Sequence, residues 1–161
     1  MQAAKIALRA VASRAVALER QVQELDEHLD RLVTEAAPRS LALLGVGTGH
    51  TGQLLVTAGQ NVDRLRSEAG FAHLCGADPI PASPGKTVRH RLNRGGNRDA
   101  NTALHMIAVV RLRYCPRTRA YAERRTKDGC SKREILRCLR RYIAREVFRT
   151  IRADLGALNT P

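Results

Sequence analysis

A chain of 161 residues has room for one ordinary domain and an appendage, and 43% hydrophobic content is enough for a folded core. With only 3% aromatics and no Trp, that core must be built from Leu, Val, Ile and Ala, a palette that favours helices over a β-sandwich. The net charge of +13 is lopsided: residues 1–40 carry six basic and six acidic side chains, residues 86–152 twenty and five. An excess made mostly of arginine suits phosphate, which the guanidinium fork binds bidentately, better than it suits a solvated face of mixed sign.

The first element has the cleanest period. Leu8, Val11, Ala15, Leu18, Val22, Leu25, Leu29 and Leu32 are spaced three and four apart in alternation, the a and d positions of four heptads. Arg14, Glu19, Arg20, Glu24, Asp26, Glu27, Asp30 and Arg31 fall on the flanks, and Pro38 blocks continuation of the helix. A seam this narrow needs a partner helix, either another copy or a folded-back segment.

Leu41-Ala42-Leu43-Leu44-Gly45-Val46-Gly47 follows, then a helical stretch from Thr51 to Ala58. Helix, Gly-x-Gly turn and helix resemble a helix-hairpin-helix, in which Gly45 and Gly47 would let backbone amides approach a DNA phosphate; an ordinary helix connection is the equal alternative. Gly59-Gln60-Asn61 closes that helix, and a short one spans Leu65 to Leu74. From Gly76 to Asn97 the pattern predicts an irregular, exposed basic loop, with Pro79, Pro81, Pro84 and Gly85 in its first half.

Helical patterning then returns. Ala103, Leu104, Ile107, Ala108, Val110 and Leu112 form one apolar face, and Pro116 opens a second helix to about Lys127. Ser131 and Glu134 form a capping box for a last helix burying Ile135, Leu136, Leu139, Ile143, Val147 and Ile151. Its opposite face carries Arg133, Arg137, Arg140, Arg141, Arg145 and Arg149. The expected fold class is therefore all-α. A coiled-coil helix over 1–37 precedes a small helical domain over 41–155, with a tail at 156–161.

Several chemistries are excluded by spacing. Gly85-Lys86-Thr87 lacks the glycine five residues before the Gly-Lys pair that a P-loop needs, since position 80 is Ile. The histidines show no H-x-x-x-H spacing, and Cys75, Cys115, Cys130 and Cys138 form no C-x-x-C pair. The acids of the basic half, Asp99, Glu123, Asp128, Glu134 and Glu146, are too scattered for a two-metal nuclease. No signal peptide is evident, nor an apolar run of about eighteen residues, so a cytoplasmic protein with reduced thiols and no membrane contact is expected. What remains is Ser83 among Lys86, Arg89, His90, Arg91 and Arg94: a hydroxyl nucleophile beside cations that would stabilise a developing phosphate charge, or simply a turn residue before Pro-Gly.

The run PIPASPGKTVRHRLNRGGNRDANTALHMIAVVRLR, with PRTRAYAERRT and KREILRCLRRYIAREVF after it, resembles the serine-bearing transposase domain of the insertion-sequence-110/116/902 family. LLGVGTGHTGQLLVTAGQNVDRLRSEAGFAHLCG is similar to the segment that opens that domain, so the resemblance runs from about Leu41 to Ile151. It implies DNA as partner, a guide RNA in some members, and oligomers, pure or mixed, through the coiled coil. It also implies a serine nucleophile and an N-terminal RuvC-like domain whose acids bind divalent metal. Met1 falls at the start of the coiled coil, so that acidic domain is expected to be missing, with magnesium needed only alongside it and no cofactor in this chain. The family commonly has Ser-Ser-Gly-Lys where this chain has Ser83-Pro84-Gly85-Lys86. The candidate nucleophile is Ser83, and the nucleic-acid contacts are Lys86, Arg89, His90, Arg91, Arg94, Gly95, Gly96, Asn97, Arg98, Gly45 and Gly47. The expected function is a DNA-binding fragment, inactive alone. The alternatives are a recombinase subunit needing a separate acidic domain and a regulator that mixes with full-length transposase.

Overall fold

The first 36 residues contain neither Gly nor Pro, and in the computed structural model, which describes residues 2–59, 65–81 and 90–158, Gln2–Ala36 form one unbroken helix, α1. At 1.5 Å per residue it is about 52 Å long. Its C-terminal end packs on α3 (Thr48–Ala58), where Gly52 leaves room for Leu29 and Val33, and Val33 is its one buried residue. Every heptad residue read from the sequence lies at the surface; Leu8, Val11, Leu25 and Leu32 are each 65–69% exposed.

The exit from α1 is held by α2 (Pro38–Leu41), a single turn clamped to α7 (Lys132–Leu158). Asp154, 2% exposed, accepts hydrogen bonds from the Ser40 N–H (3.0 Å), the Ser40 hydroxyl (2.7 Å) and the Arg39 N–H (3.2 Å). A buried carboxylate is tolerable only with such a set of donors, and here it fixes where α1 leaves the body.

The body is built around α5 (Arg98–Tyr114), which packs on α7 and α3, while α4 (Glu68–Leu74) and α2 pack on α7. Ala100, Ala103, Ala108 and Ala144 are almost fully buried, and these small residues let the helices approach closely. Leu54, Leu104, Ile107, Ile143, Val147 and Ile151 fill the space between them, each worth roughly 1.5–3 kcal/mol on burial. Phe71 of α4 meets Phe148 of α7 with ring centroids 6.0 Å apart. The cap expected at α7 is present: the Ser131 N–H donates to Glu134 Oε2 (2.8 Å), and Ser131 Oγ accepts from the Glu134 N–H (3.4 Å).

All-α describes the architecture, with one local departure. Within the segment read as irregular, β1 (Pro79–Pro81) and β2 (His90–Leu92) pair antiparallel, Ile80 opposite Arg91. Proline cannot donate to a ladder, so two prolines are tolerated only because each strand has a single paired edge. The apolar alternation that would announce a strand is absent from the sequence here. Boundaries moved elsewhere: α3 starts at Thr48 rather than Thr51, α4 at Glu68 after the cap Ser67, and α7 runs to Leu158 rather than Leu155. Between α5 and α7, α6 (Pro116–Lys127) has no buried residue.

Candidate nucleic-acid interface

The basic hairpin is rooted where the end of α4 meets the start of α5. Gly96 lies against Gly76 so closely that an added Cβ would sit 2.2 Å from the Gly76 nitrogen and 2.4 Å from its Cα. Only glycine fits there. Gly76 itself has φ +62°, which glycine adopts without strain. Gly95 is under no such constraint, since a Cβ there would make an ordinary 3.4 Å contact with Asn93 Oδ1.

Three asparagines tie this root together. Asn93, 7% exposed, donates through Nδ2 to Asp78 Oδ1 (2.6 Å) and the His73 carbonyl (3.2 Å), and accepts from the Gly95 N–H (2.8 Å). Asn97 caps α5: its Oδ1 accepts from the Asp99 and Ala100 amides, both at 2.9 Å, and its own N–H donates to the Leu74 carbonyl. Asn101 donates to the Cys75 and Gly76 carbonyls at 3.0 and 2.9 Å. Asp78 also receives a hydrogen bond from His73 Nδ1 at 2.8 Å. Burial pushes the Asp78 pKa up, but the hydrogen bonds from His73 and Asn93 outweigh it and hold the carboxyl below its usual range.

Gly96 and Asn97 thus have architectural work at the root, while Arg94, Gly95, Asn97 and Arg98 are exposed around it. His90 and Arg91 lie on β2. Ser83, Lys86 and Arg89 fall outside the described residues.

The Gly45-Val46-Gly47 turn is elsewhere. Gly45 has φ +80° and abuts Val110 near the far end of α5, and the Leu44 carbonyl accepts from Arg111 Nε (2.8 Å). Residues 97 and 110 are thirteen positions apart, about 20 Å along the helix, so the turn and the hairpin root do not form one site. Gly47 caps α3 with open space where a Cβ would be. The helix before this turn is the four residues of α2, which ends at Leu41, where the sequence pattern predicts the apolar helix to begin.

The arginines divide into two groups. Arg145 and Arg149 both reach Glu68 (2.8 and 3.0 Å), Arg111 reaches Glu146 (2.6 Å), and Arg125 reaches Asp128 (3.3 Å). Arg133, Arg137 and Arg140 line a groove of about 460 Å³ with Asn101, Thr102, His105 and Leu136, and no carboxylate is among the lining residues. Local spacing puts these arginines on one helix face, but Asn101 and His105 lie 28 to 39 residues away in the chain, so spacing alone does not bring them to that face.

A family model described as the transposase IS116/IS110/IS902 family matches residues 39–123, which is 85 of the 161 residues. The chain belongs to that transposase family. The matched stretch runs from α2 into α6, so it contains the Gly-x-Gly turn, the hairpin and α5. No curated protein matches the chain. A transposase acts on DNA, and membership accounts for a basic surface. Among the described residues no helix is long and apolar enough to cross a membrane.

Divalent metal, which the transposase resemblance implies, finds no fitting donor set among the described residues. Glu68, Glu146, Asp78 and Asp154 are each engaged as above, and no three His, Cys, Asp or Glu side chains gather where a metal could be held.

Proposed function

We propose that this member of the transposase family is a DNA-binding module that assembles through α1, and that by itself it binds DNA rather than cutting it. The observation that carries the reading is how the charge is placed. The basic half leaves Arg94, Arg98, Arg117, Arg119, Arg124 and Arg133 exposed from the hairpin root across α6 to the start of α7, while most of its partnered arginines hold helices together. The match to the transposase family supports DNA as the ligand. Pro84 in the serine motif and the engaged carboxylates support binding over cleavage.

The seam of α1 supports the assembly half of the proposal. A stripe two residues wide per heptad, on a helix touching the body only at its end, gains its burial from another helix of the same pattern. The same seam favours a second reading, a regulator that joins full-length family members in mixed coiled coils. Co-purification with such a member, lost on Leu18→Gln with Leu25→Gln, would support that reading.

The test of DNA binding is the affinity for a labelled duplex as salt rises. Each phosphate contact should steepen the fall of log K against log salt by about 0.9. An affinity that is undetectable, or indifferent to salt, would overturn the proposal, and so would a covalent protein–DNA adduct lost in Ser83→Ala, for its non-cleaving half.

A further inference from the structure

We propose that the groove between the N-terminal halves of α5 and α7 seats one phosphodiester of the DNA backbone, a second contact separate from the hairpin loop. The proposal rests on the DNA-binding reading above and adds a location to it. The α7 wall of the groove lies beyond residues 39–123, outside the stretch that the transposase family match covers.

Arg133, Arg137 and Arg140 are spaced four and three apart, so they stand on one face of α7 and point into the same space. Arg140 is held in place from the opposite wall. Its Nη1 donates to Asn101 Oδ1, and Asn101 is itself fixed by its two bonds to the Cys75 and Gly76 carbonyls. The Arg140 Nε, in contrast, is buried without an acceptor. Burial first, and then the Arg137 charge, lower the Arg140 pKa. Arg140 is thus a partly desolvated cation that hydrogen-bonds a neutral amide and lies beside a second cation, an arrangement that an anion in the groove relieves. A phosphate seated in the groove supplies the opposite charge to the three arginines that line it.

The position of the groove favours a nucleic-acid phosphate over a small free one. Asn101 joins the groove directly to Gly76, which touches Gly96, so a strand seated here lies beside the hairpin root. His105 and Leu136 line the groove as well, giving a wall that a sugar can rest against.

The experiment compares duplex DNA binding by the full chain, by Arg133→Gln with Arg137→Gln, and by Lys5→Gln with Arg9→Gln on α1, a pair that removes the same charge elsewhere. Losing one phosphate contact should lower the salt slope by about 0.9 and weaken affinity about tenfold in the groove variant alone. Unchanged thermal melting in that variant excludes misfolding as the cause. If the natural chain binds DNA and the groove variant matches it in slope and affinity, the groove inference fails while the DNA reading stands. If the natural chain binds no DNA, both fall. A loss confined to an RNA duplex would overturn the assignment to DNA.

Discussion

Helix α1 and the helical body are made from much the same residues, yet they use them in opposite ways. In α1 every leucine and valine but Val33 faces solvent and the charges nearly balance; in the body most of the leucines face inward and the surplus arginine faces out. The difference lies in periodicity. A strict heptad keeps a narrow seam that one helix cannot bury alone, whereas α5 and α7 carry wider apolar faces that close on one another. On the proposed reading, one region meets a protein and the other a polyanion.

The largest effect expected from breaking this contrast is on the seam. Leu18→Gln with Leu25→Gln should turn the assembly into monomers in sedimentation, because both positions lie mid-stripe and the change is neutral in charge. A variant that stays associated would remove α1 from the interface. Next is the hairpin root, where Gly96→Ala should destabilise the body by about 3 kcal/mol in denaturant unfolding, since the Cβ would collide with backbone rather than with a flexible side chain. Gly95→Ala should cost under about 1 kcal/mol, and equal effects at the two glycines would contradict the close approach at Gly96.

A smaller effect is set by pH. Folding lowers the Asp78 pKa, so the folded chain binds that proton more weakly than the unfolded chain does. The contribution is present above the unfolded value of about 3.9 and fades as pH falls through the lower folded value. Hydrogen exchange at Gly95 should quicken over that acidic range, and Asp78→Asn should flatten the dependence. Thiol reactivity should show the least structural consequence. Burial pushes the Cys75 thiol up to about 12, whereas hydrogen bonding to Thr118 lowers that of Cys115. Alkylation of the native chain should therefore reach Cys115 early and Cys75 last; early loss of Cys75 would mean the root is open.

The contrast between the two regions was legible in the sequence, because it rests on local spacing. The heptads, the capping box at Ser131 and Glu134, and the apolar faces of α5 and α7 all repeat within a few residues. What the sequence hid are contacts between distant segments. Nothing near Asp154 announces that it clamps Ser40, 114 residues away, and nothing near Gly96 announces Gly76 beneath it. The Gly-Gly-Asn run was read as a contact for nucleic acid, and the packing against Gly76 and the capping of α5 give it a structural reason to be there as well.

The division of labour is tested most directly by measuring duplex affinity against salt for the natural chain and for Leu18→Gln with Leu25→Gln. If α1 assembles and the body binds, the monomeric variant should lose apparent affinity through lost avidity yet keep a clear salt slope per chain, about 0.9 for each phosphate its body still contacts. A variant that is monomeric and folded but has no salt-dependent binding at all would contradict the account, because the arginine surface would then not bind DNA on its own.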